Sequence, residues 1–184
     1  METMTKTING FQVEGIANTV ALIQDNPKIA EFELRAQNSW ITAGHNRSSI
    51  QGFYGACQED TSRVAPFVYD NDEPPLLLGS NKGANPAEVI LHGLLGCMTT
   101  TMVLLAAARG IEINGVKSKV EGDIDLRGFL GLDAGVQKEF QQIRVFFEIE
   151  GATDEEKEEL ITLAKQSPIF NSLMNPVDVK VAAA

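Results

Sequence analysis

The sequence predicts an α+β fold in which antiparallel strands pack around one long, buried central helix. Three observations lead there. The stretch NPAEVILHGLLGCMTTTMVLLAAARG, residues 85–110, reads as a single helix with no formal charge between Val89 and Ala108. A helix apolar on nearly all sides is either buried in a core or spans a membrane. The segments flanking it alternate apolar and polar residues with the period of half-buried strands. Finally, the order of elements is helix, three strands, helix, two strands, helix, strand. Runs of strands divided by helices indicate α+β rather than a doubly wound sheet.

Phe11 to Ile23 is predicted as a first helix, with Ile16, Val20 and Ile23 four and three residues apart and Pro27 closing it. Ile29 to Gln37 reads as a strand, with Phe32, Leu34 and Ala36 on one face and Glu31, Glu33 and Arg35 on the other. A hairpin turn is expected near Ala43-Gly44, then a strand from His45 to about Tyr54. Cys57 falls in or beside the next turn, and Ser62 to Tyr69 is a third strand. Residues 70–84, DNDEPPLLLGSNKGA, are a loop rich in turn formers.

The central helix carries its own start and stop. Asn85 can cap a first-turn amide, and Pro86 sits at the first helical position, where a missing N–H costs nothing. Glu88 in the first turn and Arg109 in the last match the helix dipole, and Gly110 ends the helix. Val116 to Leu126 is the cleanest strand: Val116, Val120, Ile124 and Leu126 share one face. Its partner is Phe140 to Ile149, with Ile143, Val145, Phe147 and Ile149 on one face. The glycine-rich connection RGFLGLDAGVQKE carries Phe129, Leu130 and Leu132, so it must fold back on its own subunit or press against another. Thr153-Asp154-Glu155-Glu156 is a capping-box pattern opening a helix to Gln166. Ser167-Pro168 ends that helix, and Val177 to Val181 alternates as a closing strand.

The length of 184 residues, with 43% hydrophobic and 22% charged, suits one domain. Residues 1–28 form its N-terminal helical extension and 29–184 its core. A net charge of −10 leaves no basic footprint for nucleic acid and disfavours an anionic membrane surface. Two cysteines are too few for a disulfide scaffold, and METMTKTING has no apolar leader, so a reducing cytoplasm is expected. The central helix is long enough to cross a bilayer. His92, two glycines and Thr99-Thr100-Thr101 interrupt its apolar run, and the strands need a cover, so it is read as a core helix.

Cys97 is the first chemical candidate. It is either a small buried hydrophobe or a thiol activated by a cation from elsewhere in the fold. Gly93 and Gly96 leave room beside it for another helix or a substrate. His92, five residues earlier, lies about 140° round the helix and is read as structural. His45 and Arg47 share one face of a predicted strand. Either could supply the cation, or both are exposed polar residues beside a turn. Two histidines and two cysteines without close spacing predict no metal site, and no nucleotide-binding or nucleophile-elbow motif predicts a cofactor.

The stretch NPAEVILHGLLGC resembles the OsmC/Ohr family, the osmotically inducible and organic-hydroperoxide-resistance proteins. The tail SPIFNSLMNPVDVKV resembles that family's closing segment, and the likeness runs roughly from Phe32 to Val181. The resemblance implies an OsmC-like fold and an intertwined homodimer around two central helices. It implies a peroxidatic thiol assisted by an arginine and a glutamate, with a second cysteine that resolves the oxidised thiol. Cys97 matches the peroxidatic position. Trp40 followed by Arg47 resembles the family's Trp-to-Arg stretch, which makes Arg47 the arginine. Ala87 stands where the glutamate is expected, with Glu88 next to it, and Ser167 stands at the resolving position. Accessory roles then fall to Glu88, His45 and Cys57. The expected activity is weak, thiol-dependent reduction of organic hydroperoxides or related electrophiles in oxidative-stress defence, with an external thiol or Cys57 as the reductant. The alternative is a non-catalytic protein that holds a hydrophobic ligand at the dimer interface.

Overall fold

Residues 6–183 are described by a computed structural model. The chain forms two compact units: one of residues 6–13 and 91–183, the other of residues 14–90.

The first unit is built on the expected central helix, α2 (Pro86–Arg109). Asn85 Oδ1 accepts from the Ala87 amide at 2.8 Å, while Glu88 Oε2 accepts from the Asn85 amide at 2.9 Å. These reciprocal bonds satisfy free amides at the helix start. At the other end Gly110 adopts φ +79°, Gly110 N–H bonds Ala107 O and Ile111 N–H bonds Ala106 O. That paired ending is the Schellman arrangement, which needs a residue at ease with positive φ. By length and composition α2 could cross a membrane. In the fold one stripe of it, Leu94, Met98, Met102 and Ala106, is core.

That stripe packs against the hairpin of β8 (Gly115–Asp123) and β9 (Gln142–Glu150) and against α4 (Asp154–Ala164). Val116, Val120, Ile143, Val145, Phe147 and Ile149 all face this core, as their alternation predicts. The capping box of α4 is present: Thr153 Oγ1 accepts from Glu156 N, and Glu156 Oε2 accepts from Thr153 N. β8 stops short of the predicted Leu126. Asp125 instead caps a short helix, α3 (Leu126–Phe129), its carboxylate accepting from Arg127 N at 2.9 Å. The 127–139 connection folds back on itself. A Cβ at Gly128 would lie 2.2 Å from the carbonyl oxygen of Gln137, so only glycine admits that approach. Phe129, Leu130 and Leu132 remain exposed. Ser167-Pro168 does end α4, but it also opens a further helix, α5 (Pro168–Met174), that the sequence reading missed. Val177 to Val181 forms no strand, and its valines are exposed. A short hairpin, β1 (Thr7–Ile8) and β2 (Phe11–Gln12), turns at Asn9-Gly10 and occupies the start of the predicted first helix. The Asn9 side chain pins it, donating to Ile111 O and accepting from Ile113 N.

The second unit opens with α1 (Val13–Asp25). The predicted strand over Ile29–Gln37 is not one. Asn26 caps a 3-10 turn (Pro27–Ala30), Glu33 makes only an isolated bridge with Tyr54, and the ladder begins at Gln37. A three-stranded antiparallel sheet follows, β3 (Gln37–Thr42), β4 (His45–Ile50) and β7 (Phe67–Asn71), with β4 in the middle. The turn at Ala43-Gly44 is as expected. The strand predicted from His45 to Tyr54 breaks at Gln51-Gly52. Its last part pairs separately, as β5 (Phe53–Gly55) with β6 (Gln58–Asp60). The third strand starts only after Pro66, which has no N–H for a ladder.

Candidate functional site

Cys97 lies in the first unit, on the flank of α2. Its neighbours Leu94 and Met98 are buried, but Cys97 itself is only half-buried. Beside it runs an open stripe, Gly93, Gly96 and Thr100, all exposed. A Cβ built at either glycine meets nothing within 4 Å. The thiol therefore sits at the edge of an uncovered helix face, not inside the core. His92, on the other flank of that stripe, is exposed.

Arg47 and His45 lie in the second unit, two residues apart on β4 and so on one face. The structure brings them together on Asp70, a residue the sequence reading did not select. In the β4–β7 ladder Asp70 is directly opposite Arg47. Its Oδ1 accepts from Arg47 Nε at 2.9 Å and lies 2.9 Å from His45 Nε2, and its Oδ2 accepts from Arg47 Nη2 at 3.2 Å. The Arg47 and His45 bonds hold the Asp70 carboxyl below the usual carboxylate range. The same contact to Asp70 raises the Arg47 guanidinium still further.

The loop after β7 is organised by a second missed residue. Asp72 is buried and accepts from the amides of Glu73, Ser80 and Lys82 at 2.8, 3.0 and 3.1 Å. These bonds, led by that of Lys82, lower its own carboxyl. A Cβ at Gly83 would sit 1.9 Å from Asp70 O, so glycine lets this loop press against the end of β7.

The remaining candidates have other duties or places. Glu88 is taken by the cap of α2, and Ala87 brings no carboxylate. Cys57 is exposed at the β5–β6 turn, where it and Ala56 both have positive φ. Ser167 is fully buried, and its Oγ accepts from Phe170 N at 3.2 Å as the cap of α5. Among the described residues no group of three or more His, Cys, Asp and Glu side chains is placed to hold a metal ion. A mainly apolar cavity of about 310 Å³ opens in the first unit, lined by Leu94, Phe140, Ile143, Val145, Phe170, Leu173 and Met174 together with Glu139, Gln141 and Gln142.

The profile of the OsmC-like protein family matches residues 79–182, more than half of the chain. The chain belongs to the OsmC-like family. No curated protein matches the sequence. Among solved structures it is similar to an OsmC-like protein from Mycoplasma pneumoniae, with TM-score 0.60 and 20% identity over 78% of this chain and 89% of that one. It is also similar to the organic hydroperoxide resistance protein OsmC from Legionella pneumophila, with TM-score 0.55 and 21% identity over 80% and 93%. An organic hydroperoxide resistance protein from Elizabethkingia anophelis gives TM-score 0.56 and 19% identity over 80% and 92%. At these identities the likeness establishes the fold: mixed α+β, antiparallel sheets and a long helix. The α+β expectation and the family resemblance both hold.

Proposed function

We propose that this OsmC-like protein is a one-cysteine, thiol-dependent reductant of small organic hydroperoxides, acting in oxidative-stress defence. The observation that carries the reading is the placement of Cys97, half-buried at the edge of an open helix face in a family that includes hydroperoxide-resistance proteins. A cysteine that served only as core filler would sit among Leu94, Met98 and Met102.

In this reading the Cys97 thiolate attacks the terminal peroxide oxygen. The O–O bond breaks, sulfur is oxidised to a sulfenic acid, and the departing alkoxide takes a proton to leave as an alcohol. By the family resemblance, Arg47 is the residue that would supply the positive charge favouring the thiolate and the leaving oxygen. An external dithiol returns the sulfenic acid to the thiol, releasing water and its own disulfide. Ser167 forms no disulfide, so turnover is slow and excess peroxide over-oxidises Cys97. The open Gly93-Gly96-Thr100 stripe and the exposed Phe129, Leu130 and Leu132 support a homodimer. An obligate interface of this kind buries above roughly 2,000 Å² in total. A reducing cytoplasm would keep both cysteines free.

The test is mass spectrometry after one equivalent of cumene hydroperoxide. Cys97 should gain one oxygen atom and become reactive to a sulfenic-acid trap, and Cys97→Ser should gain none. An unoxidised Cys97 rejects the reading. The apolar cavity at Leu94 and Phe170 favours a second reading, a binding protein for a small hydrophobic ligand. An inert Cys97 together with saturable binding of an apolar fluorophore would select it.

A further inference from the structure

We infer that Asp70 and His45 are positioning residues for Arg47, committing one edge of its guanidinium so that the other edge is presented to an anion. The identity of that anion, a thiolate or a departing peroxide oxygen, rests on the proposed function; the positioning does not.

The strand register builds the arrangement. β4 is the central strand, and Arg47 lies between Ser39 on β3 and Asp70 on β7. Ser39 brings no charge, so Asp70 alone faces the guanidinium across the ladder. Arg47 meets it side-on through Nε and Nη2. Among the described residues Nη1 has no hydrogen-bond or ion-pair partner. The side chains grade from anchor to effector: His45 is 17% exposed, Asp70 32% and Arg47 53%. The most buried member, His45, shares Oδ1 with Arg47 Nε and so fixes the carboxylate rather than the arginine.

Other carboxylates of the following loop and helix start have partners of their own. Asp72 is held by three backbone amides, Glu73 by the Asn85 side chain, and Glu88 by the Asn85 amide. Among the described residues Asp70 is the carboxylate that contacts Arg47. A lone exposed Arg–Asp pair holds its geometry weakly, because two flexible side chains must be ordered together. A two-point contact on a carboxylate that a third side chain fixes loses less freedom, and it fixes the plane of the guanidinium. Lysine cannot reproduce that plane.

Two readouts on the full-length protein test this. The first is hydrogen exchange of the Arg47 Nε–H by nitrogen-edited NMR, assigned by its disappearance in Arg47→Lys. Asp70→Asn, of equal shape, should speed exchange about tenfold by removing one acceptor of the two-point contact. His45→Ala should speed it less, and His45→Gln, whose amide reaches the same oxygen, should restore it. Unchanged exchange in Asp70→Asn overturns the inference. The second readout is the rate of Cys97 oxidation by cumene hydroperoxide. Asp70→Asn should slow it about tenfold, while the double variant with Arg47→Ala should be no slower than Arg47→Ala alone. Equal slowing in both backgrounds would mean that Asp70 does not act through Arg47, and overturns the inference. If Cys97 is inert in the unmodified protein while Arg47 Nε–H still responds to Asp70→Asn, the peroxide reading fails and the positioning stands.

Discussion

The β8–β9 hairpin and the β3–β4–β7 sheet are both antiparallel, yet they are held by different physics. β8–β9 puts one apolar face, Val116, Val120, Ile143, Val145, Phe147 and Ile149, onto a buried cluster. Its charges, Arg144 with Glu121 and Asp123 among them, stay on the other face. The β3–β4–β7 sheet carries polar side chains on both faces. On one, Asn38 and Asn71 donate to Asn46 and Ser48; on the other lie His45, Arg47 and Asp70. Burial of apolar area is non-directional and fixes a strand by which face it hides. Polar cross-strand bonds fix register by individual atoms and leave no apolar stripe to see.

The largest expected effect lies beneath the apolar hairpin. Met102 is fully buried in the cluster under β8–β9. Met102→Ala should cost about 2–5 kcal/mol by lost transfer energy and a residual cavity. Urea unfolding followed by circular dichroism measures it, and a cost below about 1 kcal/mol would mean that this hairpin is not held by its core. In the polar sheet the corresponding change is Asn46→Ala. It removes the acceptor shared by Asn38 and Asn71, and Asn71 is 7% exposed. A buried amide left short of partners costs about 1–3 kcal/mol, so the same measurement should show a smaller loss than for Met102→Ala.

This difference also explains what was legible in the sequence. Both strands of the apolar hairpin, the capped central helix and the Thr153 capping box could be read, because period and cap residues report burial directly. The ends could not. The alternation that carries β8 continues through Ile124 and Leu126, but Asp125 turns the chain into α3. As an element boundary Ser167-Pro168 signals a stop, but a serine followed by proline is equally a helix start, and here it opens α5. Ile29–Gln37 alternates like a strand, yet Asn26 and Pro27 impose a 3-10 turn there. In the site, Cys97, His45 and Arg47 were legible as residue types. Asp70 was not, because its role depends on which residue of β7 lies opposite Arg47, and periodicity does not set that register. Asp72 was hidden for a similar reason: nothing local marks an aspartate that collects amides eight and ten residues away.

A smaller effect comes from a helix cap. Ser167→Ala removes the acceptor for Phe170 N–H and should cost about 1 kcal/mol. A lower thermal midpoint with unchanged Cys97 oxidation would place Ser167 in the architecture of the first unit rather than in its chemistry.

The smallest effect is acid sensitivity, and it separates the two sheets most directly. Asp70 is held below the ordinary carboxylate range by Arg47 first and His45 second. A depressed carboxyl contributes its stabilisation fully above its unfolded value of about 3.9 and loses it as pH falls through the folded value. Acidification below about pH 3.9 should therefore loosen the bonds that join β4 to β7. Asp123 and Glu121 on β8–β9 are depressed too, by Arg144 and by Lys119 respectively. Protonating them removes only the outer-face ion pairs and leaves the apolar face in place. Asp125, which caps α3, keeps its charge down to about 2 through its bonds with Arg127. Amide exchange should thus rise first in His45–Ile50, while Gln142–Glu150 and the cap at Arg127 stay protected, as pH falls below about 3.9. Exchange rising first or equally in β9 would show that the outer-face charges, not the buried valines and isoleucines, hold that hairpin.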